Sequence, residues 1–214
     1  MSIMKKYLII LLFVAGNLHA NTITVSSIAE LQQAINNAKP GDHIFLKAGF
    51  YTTTADIVID KTGTKSQPIL IAAQTEGAAE ITGSGGFSLV SPAAYIIIRG
   101  FKFTHAAGKA RLNAGTSFCE WTQNVFETPG TGDYLTVAGS DHQIDFNTFQ
   151  NKDSLGKFIA IKGTGSQVAE RLWIHHNYFK KHKSQGGRNG GEALQFGLSG
   201  FSLSSPVLDR KSVV

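Results

Sequence analysis

The sequence contains a single cysteine, Cys119, among its 214 residues. An internal disulfide framework is therefore excluded, and packing and hydrogen bonding must stabilise the fold. A nucleophilic thiol needs an activating base, and no partner motif accompanies Cys119. We interpret this residue as a small buried apolar side chain.

Excess charge of one sign is also scarce. The formal net charge is +5, of which Lys5 and Lys6 supply two and the last six residues supply one. The remainder is too small to indicate nucleic-acid binding, and we expect no nucleic-acid partner. Basic residues concentrate at 180–183 and at Arg188. Such a cluster can attract an acidic polymer, although a solvated face is the more common explanation.

The N-terminal apolar run is too short to cross a membrane as a helix. Two lysines precede an apolar run from Tyr7 to Gly16, and the small residue Ala20 follows. This order is typical of a secretory signal peptide. We expect residues 1–20 to be removed and the mature chain, without a membrane span, to be secreted or periplasmic in a bacterium.

Helical periodicity is confined to the start of the mature chain. Ile28, Leu31 and Ile35 lie at helical spacing behind Ser27, which predicts one short helix over residues 27–39. Pro40-Gly41-Asp42 ends that helix, and the pattern of residues 43–51 predicts a strand with a glycine turn.

A short phrase that ends in phenylalanine recurs through the rest of the chain. Its phenylalanines lie 23, 23 and 30 residues apart, and the last three each follow an asparagine by two positions. The residues are Phe103, Phe126, Phe149 and Phe179, with Asn124, Asn147 and Asn177. Such a period indicates stacked units, none of which can bury its apolar face alone.

The strands of this repeat are short, and neither crossover helices nor two-residue hairpin turns separate them. A right-handed parallel β-helix satisfies both absences. The sequence therefore predicts an all-β solenoid over residues 21–208, with the phenylalanines stacked inside and the short helix capping the first coil. We interpret the asparagines as turn residues that tolerate left-handed backbone and hydrogen-bond along the stack.

Two motifs resemble a known family. Residues 38–46, AKPGDHIFL, followed by GFY at 49–51, resemble the opening of the pectin-lyase-like β-helices. Residues 189–197, NGGEALQFG, resemble polysaccharide lyase family 6, which contains alginate lyases and chondroitinase B. The resemblance implies a lyase that cleaves an acidic, uronate-containing polysaccharide by β-elimination. Alginate is the expected substrate, with chondroitin or dermatan sulfate as the alternative.

The resemblance also implies calcium and a set of site residues. Removing the proton on carbon 5 of a uronate adds charge beside a carboxylate, and a hard cation with oxygen ligands offsets that charge. The family uses calcium in this way, with a lysine base and an arginine at the leaving oxygen. Asn189 is the expected calcium ligand. Arg188 and Glu192 are the expected substrate-binding residues, and Glu192 is also a weaker candidate for the metal.

One part of the family pattern does not occur in this sequence. No Glu-x-Glu motif with a following lysine lies downstream of Asn189. The resemblance then predicts that the base and acid lie beyond the last residue, so that this chain is an N-terminal, inactive part of a lyase. Residues 209–214, DRKSVV, match one reading frame of a common sequencing-adapter oligonucleotide, and we expect them to be a non-native tail.

Other polar residues support weaker hypotheses. His175 and His176 occupy adjacent positions, which in a strand point to opposite faces, so we expect no metal site there. Basic side chains on the outer face could pair with substrate carboxylates. These are Lys157, Lys162 and Arg171.

Two further functions stay open on the same fold. A polygalacturonase-type hydrolase needs clustered aspartates, and the spacing of Asp141, Asp145 and Asp153 across coils cannot be read from the sequence. A non-catalytic glycan-binding or adhesin-like β-helix is the other alternative. Fold alone does not choose among them.

Overall fold

The computed structural model describes residues 20–164, 167–183 and 192–197. The expected signal peptide, apart from Ala20, and the expected non-native tail lie outside the described residues. Among those residues, no helix combines the length and the apolarity needed to span a bilayer.

The predicted N-terminal helix is confirmed as α1, Ile28–Asn37. Ser27 is its N-cap, and the Ser27 hydroxyl accepts a hydrogen bond from the Glu30 backbone nitrogen at 3.1 Å. The Glu30 carboxylate in turn accepts from the Ser26 backbone nitrogen at 2.8 Å. These bonds satisfy donors that the first helical turn leaves unpaired.

The strands, numbered in chain order, form three parallel sheets. Sheet A contains β1 (Thr22–Val25), β2 (His43–Leu46), β5 (Ile69–Ala73), β8 (Ile96–Arg99), β11 (Glu120–Thr122), β15 (Gln143–Asp145) and β20 (Trp173–His175). Sheet B contains β3 (Gly49–Thr53), β6 (Ala79–Gly83), β9 (Lys102–Phe103), β12 (Val125–Phe126), β16 (Thr148–Lys152) and β21 (Tyr178–His182). Sheet C contains β4 (Ile57–Ile59), β7 (Phe87–Leu89), β10 (Ala110–Leu112), β13 (Leu135–Val137), β17 (Ile159–Ile161) and β22 (Leu194–Phe196).

A fourth, small sheet joins β14 (Gly139–Ser140), β18 (Gly163–Thr164) and β19 (Gln167–Glu170). In this sheet β14 runs parallel to β19, whereas β18 and β19 are antiparallel.

From β2 onward, the chain visits sheets A, B and C in that order on each described coil, whereas β1 and β2 both belong to sheet A and are connected by α1. Each strand pairs in parallel with the equivalent strand of the next coil, as β12 does with β16 through Phe126 and Phe149. This arrangement confirms the predicted parallel β-helix. Three corners result, which we call AB, BC and CA after the sheets that they connect.

The repeated phenylalanines form a stack inside the solenoid, as predicted. Ring centroids lie 4.9 Å apart for Phe103 and Phe126, 4.7 Å for Phe126 and Phe149, and 5.3 Å for Phe149 and Phe179. The first three rings are fully buried. Because each ring contacts the next coil, the apolar core runs along the helix axis.

The asparagines form a buried hydrogen-bonded ladder at the AB corner. The Asn124 side-chain amide donates to the Asn147 oxygen at 3.0 Å, and the Asn147 amide donates to the Asn177 oxygen at 3.0 Å. The predicted hydrogen bonding along the stack is therefore confirmed. The predicted backbone is wrong, because the left-handed residue is the one before each asparagine, namely Gln123, Phe146 and His176.

Helix α1 covers the first coil, as expected of a cap. Its side chains Leu31, Ala34 and Ile35 are buried and belong to the same core cluster as the strand residues. Cys119 also belongs to this cluster and is 1% exposed. Burial raises the pKa of its thiol to about 12, so the thiol stays protonated at neutral pH and the prediction of an unreactive side chain is supported.

Candidate functional site

Of the three predicted site residues, the structure describes one. Arg188 and Asn189 lie outside the described residues. Glu192 lies at the BC corner, two positions before β22. Strand β22 pairs with β17 through Leu194 and Ile159, and the Ile159 nitrogen donates to the Ala193 carbonyl at 2.9 Å.

This register places Glu192 in a column of charged residues. The equivalent residue one coil earlier is Lys157, and two coils earlier it is Asp133, since β13 pairs with β17 through Leu135 and Ile159. We call Asp133, Lys157 and Glu192 the BC column. The Asp133 carboxylate accepts a hydrogen bond from the Lys157 backbone nitrogen at 3.0 Å. Charge therefore alternates in sign along the corner.

Glycines precede Asp133 and Lys157 and let the backbones of their two coils approach closely. A Cβ atom added to Gly156 would lie 2.1 Å from the Gly132 carbonyl oxygen, so a larger residue would force the coils apart. Gly191 holds the same sequence position before Glu192 as Gly132 and Gly156 hold before Asp133 and Lys157. The glycine in front of Glu192 therefore follows a pattern that the two preceding coils share.

One carboxylate oxygen of Glu192 lacks a hydrogen-bond partner among the described residues. This atom, Oε2, is buried. A buried carboxylate oxygen without a donor is costly, and such an atom is satisfied by a cation or by a ligand hydroxyl. The residue therefore fits the calcium role that the family resemblance implies.

The metal set is incomplete within the described residues. In residues 20–164, 167–183 and 192–197, no three His, Cys, Asp or Glu side chains converge on one point. Glu192 would therefore have to share a cation with ligands from elsewhere, such as Asn189.

Sequence reasoning missed a buried lysine beside this column. Lys152 is 1% exposed, and its ammonium donates to the Gly132 carbonyl at 2.6 Å while lying 4.7 Å from the centre of the Tyr134 ring. Burial lowers the pKa of Lys152. A strict strand alternation from Phe149 would point Lys152 outward, but Asn151 has a φ of 60° and reverses the phase.

The outer face of sheet B next to this corner carries a preorganised carboxylate. Glu127 accepts from Gln150 at 2.8 Å and from Asn151 at 2.6 Å. Partial burial raises the pKa of Glu127, but these hydrogen bonds and nearby lysines outweigh it and hold that pKa below its usual range. The carboxylate is therefore ionised and fixed at neutral pH.

The other basic residues predicted to pair with substrate carboxylates differ in whether they already have partners. Lys157 belongs to the BC column, and Lys162 directly follows β17 in sheet C; both are half-buried. Arg171 is already engaged, because its guanidinium donates to both Asp141 oxygens at 2.7 and 2.8 Å and to Glu170 at 2.9 Å. Arg171 is therefore a structural partner of Asp141, and the expectation that it pairs with substrate is not supported by the geometry.

The histidine pair differs from the prediction. His175 and His176 do not point to opposite faces, since their Nδ1 atoms lie 2.7 Å apart. The reason is that His176 has a φ of 51°, which ends the alternation of strand β20.

The three aspartates do not form a hydrolase cluster. Asp141 is paired with Arg171 at the CA corner, Asp145 lies in β15 of sheet A, and Asp153 lies in the turn after β16 at the BC corner. Paired carboxylates for glycoside hydrolysis must flank one bond. Their distribution over different corners disfavours the polygalacturonase-type alternative.

Comparisons with known proteins identify the family of the chain. A family model described as Chondroitinase B matches residues 25–207. No curated protein sequence gives a significant match.

Solved structures of polysaccharide lyases share the fold. A mannuronic acid specific polysaccharide family 6 lyase from human gut microbiota is 24% identical, with a TM-score of 0.71 over 83% of this chain and 45% of that one. The PL6 family alginate lyase AlyGC is 24% identical, with a TM-score of 0.66 over 83% of this chain and 26% of that one. A PL6 family polysaccharide lyase from Pseudopedobacter saltans is 16% identical, with a TM-score of 0.60, covering 82% and 41% of the two chains. This chain thus spans less than half the length of each of these structures.

Proposed function

This chain belongs to the chondroitinase B family, and we propose that it contributes to a lyase that cleaves a uronate-containing polysaccharide by β-elimination. The observation that carries the proposal is the buried Oε2 atom of Glu192, which has no hydrogen-bond partner among the described residues and lies in register with Lys157 at the BC corner. The Glu192 carboxylate suits a cation as its partner, and the Lys157 ammonium suits a substrate carboxylate.

Alginate rich in mannuronate is the substrate that we propose. The support is a resemblance, since one structural neighbour is described as mannuronic acid specific and another as an alginate lyase. Chondroitin or dermatan sulfate is the second candidate, because the matching family model is described as Chondroitinase B.

Calcium is the cofactor that we propose, with Glu192 and Asn189 as its ligands in this chain. When bound, calcium would offset the charge that develops on the substrate carboxylate as carbon 5 loses its proton. The roles of the chain's own residues are to bind and to orient. Glu192 holds the cation, Lys157 attracts the polymer, and Asp133 fixes the Lys157 backbone through its 3.0 Å hydrogen bond.

The base and the acid are not assigned to any residue of this chain. Lys152 is unsuitable as a base toward polymer because it is 1% exposed and its ammonium is bonded to Gly132. We propose that the base and acid come from further coils of the enzyme, as expected from the family pattern.

Product chemistry tests the proposal against its alternatives. The 214-residue chain is incubated with alginate, chondroitin and polygalacturonate in calcium, and both unsaturated uronate absorbance and new reducing ends are followed. We expect neither product, together with retarded migration of the chain in an alginate-containing native gel.

Each alternative predicts a different outcome of that experiment. Reducing ends without absorbance would replace the lyase with a hydrolase. Turnover with absorbance would show that the base and acid lie within this chain, contrary to the proposal. Failure to bind any of the three polymers would overturn the proposed function.

A further inference from the structure

A second surface, on a different side of the solenoid, has the chemistry of a saccharide-binding groove. The groove lies over the outer face of sheet A beside the CA corner and has a volume of about 390 Å³. Its lining includes Lys65, Pro68, Tyr95, Phe118, Glu120 and Gln143. In the three-sided coil, the BC corner lies opposite sheet A, so this groove is separate from the proposed lyase site.

Two aromatic rings form one wall of the groove. Tyr95 and Phe118 occupy equivalent positions on successive coils, as the bridge between Ala94 and Ser117 shows. Their rings are stacked, with centroids 4.8 Å apart and an interplanar angle of 4°, and Phe118 is 47% exposed. A flat, exposed aromatic platform of this kind can pack against the C–H face of a pyranose ring.

The backbone does not explain why these residues are aromatic. Tyr95 and Phe118 have φ values of 54° and 52°, a left-handed conformation that glycine adopts without steric cost. The next residue of this corner column, Asp141, has the same conformation with a short polar side chain. A large ring at each of these positions carries a steric cost, and the mutual stacking of the two rings compensates for part of it.

Polar groups converge beside the platform. Glu120 and Gln143 are register partners on the outer face of sheet A, which places a carboxyl and an amide side by side. The Gln143 amide nitrogen donates to the Asp145 carboxylate at 2.6 Å, which fixes the orientation of that amide. Burial, and then the neighbouring Asp145 carboxylate, raise the pKa of Glu120, while Arg99 opposes this effect.

One lysine of the groove offers a partner for an acidic sugar. The Asp141 carboxylate is already paired with the Arg171 guanidinium, which donates to both of its oxygens at 2.7 and 2.8 Å. Lys65 is exposed, and the structure records no ion pair for it with any described carboxylate. One unpaired cation beside an aromatic platform matches a single uronate ring, with its carboxylate on Lys65.

We propose that this groove is a second, non-catalytic binding site for a uronate-containing oligosaccharide. The choice of uronate rests on the proposed function, whereas the groove itself does not. Such a site would hold a distal part of the polymer, or a second chain, on the face opposite the BC column.

Hydrogen exchange followed by mass spectrometry separates the two sites, because peptides over 93–99 and 117–122 report on the groove and those over 192–197 report on the BC corner. With oligomannuronate, we expect protection of the groove peptides. Phe118→Ala should weaken that protection, with about a tenfold rise in Kd. Lys65→Gln should weaken oligomannuronate binding by a similar factor and leave any binding of neutral cello-oligosaccharide unchanged. Phe50→Ala is the matched control, since Phe50 is 82% exposed on sheet B.

The outcomes distinguish this proposal from the proposed function. Groove protection that depends on Phe118 and Lys65, without protection at 192–197, would support the groove and count against the BC site. Protection at 192–197 alone, or wild-type affinity in both groove variants with unchanged thermal stability, would overturn the groove. Equal affinity for neutral and acidic oligosaccharides would overturn its assignment to uronate.

Discussion

His142 is held in its neutral form by burial, and two hydrogen bonds of its ring fix the tautomer. Its Nδ1 accepts from the Cys119 backbone nitrogen at 3.1 Å, and its Nε2 lies 3.1 Å from the Thr116 hydroxyl, which itself donates to the Asn113 carbonyl. The Nε2 atom must therefore carry the proton. Burial lowers the pKa of His142 to about 4, and it lowers the pKa of His105 to about 4 as well.

These histidines predict a loss of stability in mild acid. Each binds a proton more readily when unfolded, with a pKa of about 6.5, than when folded. Their contribution to the free energy of unfolding is therefore complete above pH ~6.5 and falls toward pH ~4, at up to ~1.4 kcal/mol per pH unit for each histidine. Urea unfolding at pH 7, 5.5 and 4.5 measures this slope.

Variants isolate the histidine contribution from that of the carboxylates. His142→Gln should flatten the slope, whereas His43→Gln, at a half-buried position on β2, should not. A wild-type slope that persists in His142→Gln and in His105→Gln would contradict the assignment.

The local backbone conformation determined which side-chain positions could be predicted from the sequence. The Asn124, Asn147 and Asn177 ladder was predictable, because identical side chains on successive coils can bond to one another. The inward position of Lys152 was not, because the left-handed Asn151 inverts the strand phase. His176 had the same effect on the histidine pair.

The stacked phenylalanines predict that a single core ring stabilises neighbouring coils as well as its own. Phe149 is fully buried between Phe126 and Phe179. Phe149→Ala would leave a cavity that two coils share and should lower the free energy of unfolding by ~3–5 kcal/mol. Chemical denaturation, with the midpoint and slope fitted together, gives the value.

Phe146→Ala is the matched control for that change. Phe146 lies on the same coil but is 57% exposed, and its ring contacts His175 and His176, so its loss should cost about 0.5 kcal/mol. Comparable losses from both variants would mean that the ring stack is not the axis of the core.

Strand positions were easier to predict than strand partners. The helix followed from Ser27 and the spacing of Leu31 and Ile35, which are local signals. Coil stacking followed from the phenylalanine period. The BC column and the groove each combine residues from separate coils. The groove, for example, is lined by Lys65, Tyr95, Phe118 and Gln143. These residues lie far apart in the sequence, so their proximity could not be predicted from it.

At the scale of the molecule, we propose binding surfaces on two sides of the coil. The BC corner carries the Glu192 Oε2 atom, which has no hydrogen-bond partner among the described residues and for which we propose a cation. The sheet A groove carries an aromatic platform, which suits a sugar ring. The family follows from the match over residues 25–207, whereas substrate and metal remain proposals.

A calcium titration of the 214-residue chain, with oligomannuronate present and absent, tests the central claim most directly. Isothermal calorimetry should show that calcium binds and tightens oligomannuronate binding at the BC corner, and that Glu192→Gln weakens calcium at least about tenfold, because a charged ligand is lost. Glu127→Gln is the control, since the Glu127 oxygens already have partners, and it should bind calcium as the wild type does. Calcium binding unchanged by Glu192→Gln, or oligomannuronate binding indifferent to calcium, would contradict the account.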